Sequence, residues 1–318
     1  DLEHGVPVTA ETRFRLQSTQ KLLTATAILR LAETGKLRLD DPVQAYCPAF
    51  GARAGAPTLR ELLSHQGGVR PADLADLFSR QHYASAQAAV RRFVRGSLGY
   101  RPGTAMVYSN AGYTLLACAI EGATGRPYDS TLAALVLRPA GMQATRNDNV
   151  FEVVPDRARY YVVRTAANTE QWRGLWTEAH LSATPLGQPA NADPVDPSWA
   201  IGAGSYLGTP GDLVRFGLAL MGGSLLRGMY RDSAFAPAPL TATGLPTGRA
   251  LGGWVLDSTG RGVARMLGST WNGSFGVAVD SVSGVVVAIA SNIEFDQPAQ
   301  LIARVLELWR PLVARRAP

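Results

Sequence analysis

The chain has 318 residues, of which 46% are hydrophobic and 18% charged, and its formal net charge is +6. That length can bury one large core or two coupled ones, and no run of 18 uninterrupted apolar residues offers a membrane-spanning helix. The arginines are scattered, with Arg91, Arg92, Arg95 and the pair Arg315 and Arg316 as the tightest groups. The charge therefore reads as a mildly cationic surface, without the stripe or arm of a nucleic-acid binder.

In chain order, Asp1-Leu2-Glu3-His4 has neither the charged region nor the apolar stretch of a signal peptide, and the missing initiator methionine points to processing or truncation. Thr19 to Thr34 carries Leu22, Leu23, Ala27, Ile28 and Leu31 at helical spacing and stops at Gly35, which predicts a long, largely buried helix. Thr58 to Glu61 makes a capping box ahead of Leu62 and Leu63. Ser85 opens a helix through Arg95, and another is expected from about Ala111 to Thr124, ending at Gly125. Residues 150–200 lack periodicity and hold Trp172, Trp176 and Trp199, so they read as long loops that rim a site. Thr209-Pro210-Gly211-Asp212 supplies a cap, a first-turn proline and an acid for a helix to Met221.

After residue 250 the texture changes. Gly253 to Leu256 and Val263 to Leu267 read as strands, and Phe275–Asp280 and Val285–Ala290 flank the hairpin turn Ser281-Val282-Ser283-Gly284. Pro298 starts an amphipathic helix expected to end near Pro311. The fold class is α+β: an antiparallel sheet flanked by helices, plus a mostly helical region over about 45–250, with an α/β part made of 1–44 and 251–318 as one unit. Cys47 and Cys118 allow one disulfide or none. His4, His65, His82 and His180 lie far apart in sequence, so no metal-site spacing emerges and no cofactor is expected.

The chemistry begins with a compositional bias. The chain has 29 arginines and two lysines, and Lys21 lies three residues after Ser18. An arginine stays protonated, whereas a lysine loses its proton when buried or set near another cation, so a lysine kept in this background is a candidate for proton chemistry. Positions i and i+3 share a helix face, which makes Ser18-Thr19-Gln20-Lys21 a candidate S-x-x-K motif. The plainer reading makes Ser18 a helix cap and Lys21 a solvated first-turn residue, although a cation there opposes the helix dipole. Local features leave both open. The other lysine, Lys36, suits the helix end after Gly35. A second candidate is Tyr108-Ser109-Asn110, where a neighbouring ammonium would lower the tyrosine pKa and Asn110 could hold both a substrate carbonyl and the lysine.

Taken in order, these segments resemble the serine β-lactamase, penicillin-binding protein and esterase superfamily, in its class C-like branch. Phe14 to Lys21 resembles the nucleophile segment, and Leu62-Leu63-Ser64-His65-Gln66-Gly67-Gly68 is similar to the L-L-S-H-T-S-G-L stretch. Pro102-Gly103-Thr104 through Tyr108-Ser109-Asn110 and Gly112-Tyr113 resembles P-G-x-x-F-x-Y-S-N-x-G-Y. Arg138 to Met142, Ala203 to Thr209 with Asp212-Leu213, and Gly252-Gly253-Trp254 match later motifs. The resemblance implies that Ser18 attacks an acyl carbonyl while Lys21 and Tyr108 move its proton. It also implies that the backbone N–H groups of Ser18 and Thr270 form the oxyanion hole beside Ser269, that Asn110 binds substrate, and that His65 is structural. Expected substrates are small esters, amides or peptides. An acyltransferase of the same fold, or a catalytically weak scaffold, are the alternatives. The family's usual setting favours a periplasmic or secreted location, and no oligomeric state can be read.

Two departures shape the expectation. The family's third motif offers lysine or histidine, a small residue and glycine, and the matching segment here is Leu267-Gly268-Ser269-Thr270, aligned through Gly273. Leucine cannot pair with a carboxylate, so neutral esters or amides are expected to be preferred over β-lactams, with Arg265 as a partial substitute on the same strand face. The family also has two strands ahead of the segment that matches Asp1-Leu2-Glu3, so an upstream segment is expected.

Overall fold

The computed structural model describes residues 1–52, 54–70, 79–93, 97–166, 169–170, 184–192, 195–257, 262–270, 273–293 and 297–314. Helix α1 (Gln20–Glu33) is buried all round: Leu22, Leu23, Thr24, Ala25, Thr26, Ala27, Ile28 and Leu29 have no exposed surface. Its alanines and threonines let neighbours approach closely, and the buried hydroxyls must find acceptors. Thr26 donates to the Leu22 carbonyl at 2.8 Å and Thr24 to that of Gly202 at 2.6 Å. The helix starts one residue later than the sequence predicts because a 3₁₀ turn, Gln17–Thr19, precedes it.

The other helix signals act where expected. In α2 (Leu59–Leu63) the capping box closes both ways, Glu61 N–H to Thr58 Oγ1 at 3.2 Å and Thr58 N–H to Glu61 Oε2 at 2.8 Å. Ser85 Oγ caps α3 (Ala86–Phe93) by accepting from Ala88 N–H, and the expected end at Arg95 lies outside the described residues. Ser109 caps α4 (Asn110–Thr124), which stops at Gly125 with φ +65°. Then come α5 (Tyr128–Leu132), α6 (Pro210–Met221) with its Thr209 cap, and α7 (Gly228–Phe235). A Cys47–Cys118 disulfide, with both cysteines buried, ties the 43–50 turns to α4.

Short strands β1 (Phe14–Arg15) and β2 (Arg146–Asn147) both pair with β5 (Tyr206–Gly208). The main sheet is antiparallel in the order β6 (Val255–Leu256), β7 (Val263–Thr270), β8 (Gly273–Asp280) and β9 (Val285–Ser291). One face carries Ala264, Met266, Phe275, Val277 and Val279 into the core shared with α1. The other carries Ala278 and Val287 against Ile302 and Leu306 of the last helix, α8 (Pro298–Ala314). The architecture is α+β.

Three expectations need correction. Helix α8 continues through Pro311 instead of ending there. Proline's fixed φ is helical, and near a helix end its missing N–H forfeits a single bond. Residues 150–200 are not all loop: β3 (Tyr161–Val163) pairs with β4 (Pro189–Asn191), and strands of three residues are too short to show a period. Trp199 is not on a rim but in the core, 6% exposed, whereas Trp172 and Trp176 lie outside the described residues.

Candidate active site

Ser18 sits half-buried in the 3₁₀ turn at the head of α1. The chain arrives there from β1, with Leu16 N–H bonded to the Tyr206 carbonyl at 2.8 Å. It then passes through Gln17 at φ +51°, a left-handed conformation uncommon for a non-glycine residue. The Gln17 amide donates to Thr270 Oγ1 at 3.0 Å, which ties the strained residue to β7. Gly268 on β7 makes this approach possible, because a Cβ there would lie 2.5 Å from both Ser18 N and Gln17 Cβ. We expect Gly268→Ala to force the two backbones apart, lower stability by about 1–3 kcal/mol and displace Ser18. A thermal melt and the rate of Ser18 labelling by a phosphonylating probe check this; an unchanged rate would refute it.

Lys21, Tyr108 and Asn110 converge on Ser18. Lys21 Nζ lies 3.2 Å from Ser18 Oγ, 2.7 Å from Asn110 Oδ1 and 2.8 Å from the Ala203 carbonyl. The Tyr108 hydroxyl donates to Ser18 Oγ at 2.6 Å. Lys21 has no exposed surface, and its Nζ stands 4.8 Å from the centre of the Tyr108 ring. Burial, reinforced by the charge of Arg249, holds the Lys21 pKa well below its usual 10.5. Its three partners are neutral, so no carboxylate restores the ammonium. The Tyr108 pKa moves opposite to the sequence expectation. Burial raises it, outweighing the Ser18 hydrogen bond and the Arg249 charge. Burial thus favours the uncharged amine and the uncharged phenol on either side of one hydroxyl, an arrangement in which the amine can take a proton and the phenol can give one.

His65 does not touch Ser18. Its Nδ1 accepts from Ser109 N–H at 3.2 Å, its carbonyl accepts from Val107 N–H at 3.0 Å, and its ring lies 4.6 Å from that of Tyr108. Burial, then Arg249 and Lys21, push its pKa well below 6.5, so it is a neutral prop for the Tyr108 loop.

The third segment is corrected by the strand's own alternation. Asp257 N–H bonds to the Val263 carbonyl and Ser281 N–H to that of Gly262, and the register stays unbroken to Thr270. Odd-numbered β7 residues therefore turn their backbone groups to the β6 edge, and even-numbered ones to β8. The N–H on the edge beside Ser18 is that of Ser269, not of Thr270, which pairs with Gly273. Side chains alternate too. Gly268 and Thr270 face the Gln17–Ser18 turn, while the Ser269 hydroxyl is exposed beside that of Ser274 at 3.1 Å. Gly268 stands where a motif glycine is needed, so the position two before it is Met266, buried in the core. Leu267 points to Gly276 and Ile302, and Arg265 lines the α8 side with Glu307 and Arg310; neither faces Ser18.

Sequence reasoning missed Arg249. Its backbone is pinned by Ala238 N–H on its carbonyl at 2.7 Å and by a bridge to Val255. Its guanidinium carbon lies 5.3 Å from the centre of the Tyr108 ring. As one arginine among 29 it carried no compositional signal, and its place three residues before the matched Gly252-Gly253-Trp254 was the only clue. Among the described residues, one group has metal-ligand spacing, Asp1, Glu3 and His4; it is largely exposed, and its members pair with one another, Arg159 and Asn191.

Residues 1–308 match the family model described as Beta-lactamase. A curated relative, the serine beta-lactamase-like protein LACTB, mitochondrial, of Homo sapiens, is 26% identical over 303 residues, covering 73% of this chain and 51% of the relative. The D-alanyl-D-alanine-carboxypeptidase/endopeptidase AmpH of Escherichia coli (strain K12) is 27% identical over 209 residues, covering 64% of this chain and 47% of its own length. The chain thus spans about half the length of these curated relatives. Among solved structures, D-amino acid amidase from Ochrobactrum anthropi SV3, complexed with L-phenylalanine, has a TM-score of 0.75 at 23% identity, over 99% of this chain and 88% of that one, a likeness of fold. Among the described residues no helix is long and apolar enough to cross a membrane.

Proposed function

Because the chain belongs to the beta-lactamase family, a family of serine hydrolases with peptidase, esterase and amidase members, we propose that it cleaves esters or amides through an acyl-enzyme on Ser18. One observation carries the reading: Ser18 Oγ lies within reach of both Lys21 Nζ and the Tyr108 hydroxyl, and Lys21 is buried without a carboxylate. The neutral Lys21 amine takes the Ser18 proton as Oγ bonds to the acyl carbon. The resulting oxyanion is held by the N–H groups of Ser18 and Ser269. Its collapse breaks the bond to the leaving group. Tyr108 protonates that group and regains a proton from the Lys21 ammonium. Water then attacks the Ser18 ester, and the released acid restores the serine. Asn110, which accepts from Lys21 through Oδ1, has its amide N–H groups to offer the substrate.

We read the chain as one catalytic unit, a helical region of about 45–250 joined to an α/β part of 1–44 and 251–318. Lys21 and Tyr108, which reach the Ser18 hydroxyl from separate elements, and Asn110, which holds Lys21, weigh against the scaffold alternative. The test is intact mass after incubation with a fluorophosphonate probe, beside Ser18→Ala. One phosphonyl adduct on the parent chain and none on the variant is expected. A folded parent chain that takes no adduct would overturn the proposal.

A further inference from the structure

A cavity of about 680 Å³ lies outside the site built on Ser18: none of Ser18, Lys21, Tyr108, Asn110 and Arg249 lines it. Helices α4 and α5 and strands β2 and β5 supply Glu121, Asp129, Asn147 and Tyr206 to its wall. The basic groups of this cavity are already engaged. Arg146 pairs with Glu152, and His82 Nδ1 lies 2.8 Å from Asp196 Oδ2. Arg13 donates to the carbonyls of Ala144 at 3.2 Å and Pro155 at 2.6 Å.

The acceptors are less well served. Glu121 is 9% exposed, and its carboxylate takes the backbone N–H groups of Ala86 at 3.3 Å, Gln87 at 3.2 Å and Tyr128 at 3.4 Å. These long contacts hold it at the starts of α3 and α5 but supply no countercharge. Asp129, which is exposed, accepts from the Tyr206 hydroxyl at 2.7 Å and the Asn147 amide at 3.0 Å. Among the described residues neither carboxylate has an ion pair. The other end of the Asn147 amide, Oδ1, is buried and has no hydrogen-bond partner.

A buried acceptor left unpaired costs about 1–3 kcal/mol, and more when it is charged. Burial and the nearby charge of Asp129 raise the Glu121 pKa, so the field inside the cavity favours a cation. A bare metal ion fits poorly, because among the described residues only Asp1, Glu3 and His4 have metal-ligand spacing. The volume suits an organic molecule, and each primary ammonium brings three donors. The chain's net charge of +6 repels cations elsewhere on its surface.

We propose that this cavity is a second ligand site, which takes a small organic diammonium that pairs with Glu121 and Asp129 and donates to Asn147 Oδ1. Its occupancy does not depend on the chemistry at Ser18.

The probe is 1,5-diaminopentane, titrated into the full chain by calorimetry beside 1,5-pentanediol, its neutral counterpart. We expect saturable one-to-one binding, at least about tenfold tighter for the diamine than for the diol. Asp129→Asn should weaken the diamine at least about tenfold, and so should Glu121→Gln. Because Glu121 also holds two helix starts, Asp129→Asn decides if Glu121→Gln fails to fold. Asp40→Asn, at an exposed acid outside the cavity, removes the same charge and should leave binding unchanged. Absence of saturable binding would overturn the proposal, as would equal binding of the diol. An Asp129→Asn chain that melts as a folded protein and binds the diamine as before would also overturn it, and so would an equal loss in Asp40→Asn. A lysine side chain of a peptide offers a single ammonium, so Nα-acetyl-lysine methylamide should bind more weakly than the diamine; tighter binding would replace the diammonium with a peptide lysine. Calcium binding to a chain that ignores the diamine would make the site a metal site instead.

Discussion

Lys21→Met should lower kcat/KM for ester hydrolysis by about a thousandfold or more and, at neutral pH, raise the melting temperature. The rate effect follows from its position: a positioned base contributes about 10²–10⁴-fold, and among the described residues no other basic group contacts Ser18. The stability effect follows from linkage. The folded chain holds Lys21 well below 10.5, while the unfolded chain does not, so the unfolded state binds more protons between those values. Stability therefore grows as pH rises through that window and is lost as pH falls from 10.5 toward the folded-state value. Methionine, of similar volume and uncharged, removes that cost, and its advantage over the parent chain should shrink as pH approaches 10.5. The same titration should appear in the rate, which should rise with pH and level off well below 10.5 as the amine is freed. A variant that keeps activity within tenfold, or melts lower at pH 7, would refute the assignment of Lys21 as a neutral buried base.

Tyr108→Phe should cost about a hundredfold on an alkyl ester or an amide, and much less on a p-nitrophenyl ester. The phenol pKa is raised by burial, which suits a donor and not a base. Its proton matters when the leaving group is a strong base, and p-nitrophenolate departs without help. The size of the loss should therefore track leaving-group pKa across an ester series. Equal losses on every ester would mean that Tyr108 serves to orient Ser18, with which it shares a 2.6 Å hydrogen bond.

Much of the helical frame was legible because its signals are local. The Thr58–Glu61 box, the Thr209-Pro210 start, the glycine stop after Thr124 and the alternating strands from 263 to 291 each act within a few residues. Ser18 and Lys21 were legible for the same reason, since three residues on a helix suffice to bring them together. Tyr108 and Asn110 were a local candidate that only the ordered series of motifs tied to Ser18, as their distance from Ser18 in the chain carries no geometry.

What the sequence determined by itself is the set of chemical groups and the local elements that carry them: a serine and a lysine one turn apart, a tyrosine and an asparagine at a helix start, an apolar hairpin. Tertiary structure decided their chemical states and which neighbours count. Burial from every side, invisible in a periodicity, lowers the Lys21 pKa and raises the Tyr108 pKa instead of lowering it. The hydrogen-bond parity of β7 turns the Ser269 N–H, and not that of Thr270, to the β6 edge of the strand. Packing sends Leu267 and Arg265 to the far face of the sheet and brings Arg249 in from another loop. A pKa depends on desolvation and on charges within a few ångströms, and those distances exist only once the chain has closed on itself.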